Sequence, residues 1–429
     1  MNILLKNGHI FTGEDFFEGD ILIENGKISR LEKNIPEQPE NKDIQTFDLK
    51  NKLVAPGFID MHVHLREPGF EFKETIKTGT KAAAKGGYTT VAAMPNTNPI
   101  ADNAEIVNFM VNKAKEDACV RVLPVGAITL GEKGQTLTDF DSLKACGVVG
   151  FSDDGKGIQS EEMMRSAMLK ARSLNMPILA HCEIEHLHGG HPFNDGKFSR
   201  EHQMLGVPCA AEVGHVERDL KIAAETNCHY HICHISCADS IRLVRDAKKK
   251  NIHVTAEVTP HHLLLTDEDI PDLDSNFKMN PPLRSPEDKK MLCEALKDGT
   301  IDIIATDHAP HTQEEKRANI HCAPYGVVGL ETAFPLLYTR FVKEENYLKL
   351  EELLKLLSTK PAQIFSLTGG FLKVGMTADI VVIDLEQKQK VNPKEFLSKG
   401  QNTPFADWDL WGWPTLTLVG GQIAWQSSF

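Results

Sequence analysis

The sequence lacks the marks of several large functional classes. No apolar stretch among its 429 residues approaches the roughly 18 that a membrane-spanning helix needs. The opening MNILLKNGHI is interrupted at Lys6, Asn7 and Gly8, too soon for the apolar core of a secretory leader, so a cytoplasmic location is expected. Positive charge is in deficit: 47 Lys and Arg face 60 Asp and Glu, for a net charge of −13. That balance argues against a nucleic-acid or anionic-membrane surface, although a few local arginines can still bind a small anion. The nine cysteines are odd in number and contain no CxxC pair, so residues such as Cys146, Cys228 and Cys293 read as plain core thiols in a reducing compartment. No GxGxxG or phosphate-binding loop follows a strand-like run, and there is no internal repeat or low-complexity segment.

What is present falls into two rhythms. Residues 3–11 and 19–31 alternate apolar and polar side chains, and Asn25-Gly26 between them is a hairpin signal because both residues tolerate positive φ. The far end repeats the pattern at 378–385 and at 415–426, where Gly420-Gly421 splits two strand candidates. Neither end carries enough apolar surface for a core of its own. The two ends are therefore expected to pair as one small β-sandwich, residues 1–53 plus 371–429. The middle, 54–370, alternates apolar runs with amphipathic helical stretches; the runs are 55–65, 89–94, 120–128, 148–152, 178–181, 229–235, 253–258 and 301–306. Eight such units predict an α/β fold, a (β/α)8 TIM-like barrel, over a doubly wound sheet.

The ends of those runs carry the chemistry. The stretch DMHVHLREPG spaces His62 and His64 two apart, so that on an extended strand Asp60, His62 and His64 share one face. Run four leads into Ser152-Asp153-Asp154-Gly155, run five ends at His181, run six at His234 and run eight at Asp307. A barrel gathers the C-terminal ends of its strands on one face. Four imidazoles and two carboxylates suit zinc, with manganese, cobalt or iron as substitutes, and are too many for one catalytic ion. Two ions are expected: His62, His64 and Asp307 on one, His181 and His234 on the other, and a carboxylate from the loop after run four spanning both. Of the other histidines, His186, His188 and His191 read as polar loop residues. His229 and His231 are expected on the strand face opposite His234, packed toward helices. His261 and His262 read at most as residues behind the site.

The segments DMHVHLREPG, GGYTTVAAMPNTNP, FSDDGKG, AHCE, CHIS, EVTPHHLLL, FKMNPPLRSPEDK and ATDHAPHT, taken in order, resemble the dihydroorotases of the amidohydrolase superfamily, monofunctional bacterial type. The resemblance spans nearly the whole chain. It implies reversible, metal-dependent cyclisation of N-carbamoyl-L-aspartate to L-dihydroorotate in pyrimidine (UMP) biosynthesis, by a cyclic amide hydrolase. It implies two Zn2+ held by His62, His64, His181, His234 and Asp307, with Asp154 and a hydroxide as bridges and Asp307 as the catalytic acid–base. Many superfamily members bridge instead with a carboxylated lysine. Here Lys156 lies past the strand end, and Asp153 must point away from Asp154. Substrate binding is expected from His64, Leu65, Arg66, Asn96, Asn280, His311, Tyr325 and Gly326, with Arg66 clamping the exocyclic carboxylate in two-pronged fashion. A homodimer or an association with aspartate carbamoyltransferase fits the same resemblance. The competing readings are a hydantoinase, dihydropyrimidinase or allantoinase, and a metal-free structural homologue.

Overall fold

A computed structural model describes residues 2–37 and 43–427. Its strands are β1 (Asn2–Phe11), β2 (Phe16–Glu24), β3 (Lys27–Glu32), β4 (Ile44–Asp48), β5 (Leu53–Pro56), β6 (Phe58–Val63), β7 (Tyr88–Ala93), β8 (Arg121–Pro124) and β9 (Gly126–Ala127). They continue as β10 (Phe151–Ser152), β11 (Ile178–Ala180), β12 (Tyr230–Ile232), β13 (Val254–Val258), β14 (Ile303–Ile304), β15 (Ile380–Lys390), β16 (Asp409–Val419) and β17 (Gln422–Gln426).

The two chain ends meet in one sheet, in the order β17-β16-β15-β5-β1-β2-β3, with β4 beside β1. Asn25 and Gly26 make the β2–β3 turn with φ of 53° and 78°, as the Asn-Gly pair predicts. The sheet curls round a core of its own: Ile3, Ile21, Ile28, Val54, Ile380, Val382 and Leu416 belong to a single apolar cluster. Alternate residues serve the other face. Leu53 and Ala55 of β5, and Val381 and Ile383 of β15, pack into the main core of the molecule. The strand period of two thus welds the terminal layer to the rest.

The remaining strands run parallel, β6-β7-β8 and β9-β10-β11-β12-β13-β14. Only Val125 separates β8 from β9, and its amide still bonds to Ala93 of β7, so the two act as one interrupted strand. The ring closes where Val63 pairs with His308, just beyond β14, and the His64 amide donates to the His308 carbonyl at 2.9 Å. Helices such as Ala104–Asp117, Glu161–Ser173, Ala210–Thr226 and Pro286–Asp298 return the chain between strands. Their starts are set by capping side chains; Ser285 and Asp288, for example, cap each other's backbone amides ahead of Pro286.

The apolar run 55–65 is not one strand. Residues 53–56 belong to the terminal sheet, and the chain changes sheets at Gly57. A Cβ there would lie 2.1 Å from Cγ2 of Thr89, so any larger residue at the crossing would have to displace the Thr89 side chain.

Candidate functional site

The strand ends converge as a barrel requires. Asp154 stands at the centre: its carboxylate oxygens lie 3.4 Å from His62 Nε2, 3.6 Å from His64 Nε2, 3.8 Å from His181 Nδ1 and 3.9 Å from His234 Nε2. Asp307 lies 2.9 Å from His64 Nε2 and 3.6 Å from His62 Nε2. His181 Nδ1 and His234 Nε2 are 3.0 Å apart. All six residues are buried. His62 Nε2 and Asp154 Oδ1 have no hydrogen-bond partner among the described residues. Buried polar atoms are normally satisfied, so inward-facing donors left unpaired are what a cation site provides. The sets His62–His64–Asp307 and His62–Asp154–His234 can each hold a metal ion. Burial works against the charge of both aspartates, but His62 and its neighbours outweigh it, holding Asp307 at about 2 and Asp154 well below the usual carboxylate range.

Backbone strain helps aim these groups. His234 (φ 32°) and Asp307 (φ 46°) both adopt left-handed backbone just past a strand, as does Arg66 (φ 61°). The first strand departs from simple alternation, because its pairing with β7 slips on both sides of Ile59–Asp60. Ile59 and Met61 therefore fill the barrel interior beneath the histidines. Asp60, expected on the histidine face, instead accepts from the amides of His62 and Thr306 at 3.1–3.2 Å. Burial lifts it to about 7 against the pull of those bonds. Asp153 points away from Asp154 and accepts from the amides of Ile128 and Thr129. Lys156 is exposed.

A second layer orients the imidazoles. Glu257 bonds to His62 Nδ1 at 2.7 Å and to His231 Nε2 at 3.0 Å. Glu183 bonds to His181 Nε2 at 3.2 Å and accepts from the Asn280 amide at 2.6 Å. The Asn96 carbonyl oxygen faces His64 Nδ1 at 2.9 Å, and its amide donates to Asp154 at 3.1 Å. Each such partner fixes which ring nitrogen faces the centre. Burial opposes ionisation of Glu183, but His181, His188 and Asn280 hold it at about 2. Neither glutamate was singled out in the sequence. The available signals were a lone glutamate inside a buried strand and one two residues beyond His181.

Several histidines sit differently from expectation. His231 does not pack toward helices: it lies inside the barrel, against Glu257 and edge-on to Phe365. His229 stacks on His253, 4.4 Å between ring centres. His188 is not a solvated loop residue but buried, 3.8 Å from Glu183 and beside the Tyr325 ring. His261 is buried, with Nε2 unpaired among the described residues, and His262 is held between Thr259 and the Pro281 carbonyl.

A cavity of about 250 Å³ opens over the centre. His64, Arg66, Asn96 and Asn280 line it, as do His311, Tyr325 and Gly326. Leu65 does not; its side chain is in the core, against Gly79. The Arg66 guanidinium, bonded to the Pro310 carbonyl, reaches His311 Nε2 at 3.2 Å. His311 also meets the Tyr325 carbonyl at 2.8 Å and Lys73 at 3.3 Å. Burial and these cations push its pKa well below the usual imidazole value.

Comparison with known proteins agrees with this architecture. The family described as Dihydro-orotase-like matches residues 51–240, and one described as Amidohydrolase family matches residues 290–424. The dihydroorotase of Bacillus cytotoxicus is 53% identical over 427 residues, covering 99% of both chains. That of Geobacillus thermodenitrificans is 54% identical with the same coverage. Among solved structures, the L-hydantoinase (dihydropyrimidinase) of Arthrobacter aurescens superposes with a TM-score of 0.87 at 25% identity, over 98% of this chain and 95% of that one. The D-hydantoinase (dihydropyrimidinase) of Thermus sp. gives 0.86 at 26%, over 100% and 97%. The hydantoinases share the scaffold as relatives of a neighbouring branch. By its full-length identity to curated members, the chain belongs to the dihydroorotase family.

Proposed function

We propose that this chain is a dihydroorotase, opening the ring amide of L-dihydroorotate to N-carbamoyl-L-aspartate and closing it in the biosynthetic direction. The observation that carries the reading is one cavity with the histidine–aspartate cluster at its floor and Arg66 in its wall. A cyclic amide bearing an exocyclic carboxylate needs both. His62, His64 and Asp307 would hold one zinc ion, His181 and His234 a second, and Asp154 would span them. When bound, such a pair makes a shared water nucleophilic near neutral pH and polarises the scissile carbonyl.

The chain's own groups supply the rest. Asp307, ionised and 2.9 Å from His64, takes a proton from the attacking water and returns it to the leaving ring nitrogen. In ring closure the same carboxylate takes the proton from the nitrogen. Arg66 receives the substrate carboxylate, with His311 beside it. Asn96 spends one amide hydrogen on Asp154 and keeps the other for that carboxylate. Asn280 and the backbone at Tyr325 and Gly326 read the amide edges of the ring. Leu65, whose side chain is in the core, can contribute only through its backbone.

A side-by-side assay of the zinc-reconstituted protein tests the reading. Turnover of dihydroorotate should exceed that of hydantoin and allantoin by at least about 30-fold, since losing a buried carboxylate contact costs roughly 2–5 kcal/mol. Equal or better turnover of hydantoin would move the chain to that branch. Absence of bound metal and of any turnover after reconstitution would favour a silent partner of aspartate carbamoyltransferase.

A further inference from the structure

Two buried lysines lie behind the wall of the cavity, and the reaction as described uses neither. Lys316 ends the short helix Gln313–Lys316 and is 6% exposed. Its Nζ donates to three carbonyls: Pro324 at 3.0 Å, Gly326 at 3.2 Å and Lys278 at 3.3 Å. Three acceptors use all three N–H groups of an ammonium, whereas a neutral amine has only two. Lys278 is 1% exposed; its Nζ donates to the carbonyls of Ile320 and His321 and lies 4.4 Å from the centre of the Tyr325 ring. The Gly326 amide donates back to the Lys278 carbonyl at 3.0 Å.

Among the described residues neither lysine forms an ion pair. A buried charge without a partner is expensive, and an apolar side chain would serve the fold at lower cost. What these side chains do supply is hydrogen bonds to loop carbonyls. Both lysines grip the segment 324–326, which lines the cavity and whose Tyr325 carbonyl meets His311. Burial lowers Lys316 to about 7 and Lys278 to about 8.

We infer that Lys316 and Lys278 are positioning residues for the anionic end of the substrate, fixing the Tyr325–Gly326 peptide that lines the carboxylate-binding wall. This inference rests on the dihydroorotase reading above. Their effect is on binding rather than on the bond-breaking step, because neither is among the residues that line the cavity over the aspartate–histidine centre.

The test is steady-state kinetics of Lys316→Met and Lys278→Met, with metal content measured alongside. Each variant should raise KM for dihydroorotate about 10- to 100-fold, with kcat within threefold and metal content unchanged. A KM within twofold of the parent's would overturn the inference, as would a fall in kcat and metal content at constant KM. Failure of both variants to fold would also overturn it, since the lysines would then serve the scaffold. A parent without dihydroorotate turnover would sink the functional reading and this one together. An active parent whose variants keep its KM would sink this one alone.

Discussion

The carboxylate of Glu257 lies between two imidazoles, and through His62 it decides which nitrogen faces Asp154. Glu257→Gln should weaken metal retention about 10- to 100-fold, the usual cost of losing such an orienting partner. Equilibrium dialysis against a zinc chelator measures it, and parental retention would show that the orientation is fixed by other means. Arg66→Met should lower kcat/KM for dihydroorotate by roughly 30- to 1,000-fold, equivalent to about 2–4 kcal/mol, while hydrolysis of a carboxylate-free cyclic amide is left unchanged. Glu132 gives a pH test. Burial, with Asp153 and Asp154 nearby, raises its pKa from 4.5 to about 9. Below about pH 4.5 it is protonated whether folded or not, and imposes no penalty. As pH rises toward about 9 the unfolded chain ionises and the folded one resists, so stability is lost across that window. Glu132→Gln should therefore raise Tm by several degrees at pH 8 and hardly at pH 5; an equal difference at both pH values would contradict this. At this scale the sequence was informative where spacing forces proximity, as in His62 and His64. It gave Glu257 and Glu183 no role, although both lie in the segments EVTPHHLLL and AHCE, because their partners His62 and Asn280 are 195 and 97 residues away.

At the scale of elements, alternation was a good guide in the terminal sheet and a poor one in β6. The hairpin at Asn25-Gly26 and the turn at Gly420-Gly421 follow from local chemistry alone, and both form. The run 55–65 could not be divided by inspection, because residues buried on both faces leave no period to read. The register slip in β6, invisible in the sequence, takes Asp60 off the histidine face and binds it to backbone amides instead. The crossing at Gly57 is the sharpest local constraint. Gly57→Ala would drive a methyl into Thr89 and should destabilise the fold by about 1–3 kcal/mol. Thermal unfolding reads this out, and an unchanged Tm would mean that Thr89 can move aside.

At the scale of the whole molecule, the barrel makes neighbours of residues as distant as His64 and Asp307, 243 apart in sequence. Eight parallel segments and their ligand-type ends were enough to predict that gathering, because the fold class alone fixes where strand ends meet. The embrace of the chain termini also followed from composition, since neither end could bury a core unaided. What composition could not reveal was the lining behind the cavity, where carbonyls and lysines pair across loops with no periodic signal. The central claim is that this scaffold assembles a dinuclear centre beneath a carboxylate-binding wall. An anomalous-difference map of crystals grown with zinc and dihydroorotate tests it most directly. The account predicts two peaks about 3.5–4 Å apart, with Asp154 touching both and the substrate carboxylate against Arg66. No peak among the four histidines, or a carboxylate bound away from Arg66, would contradict it.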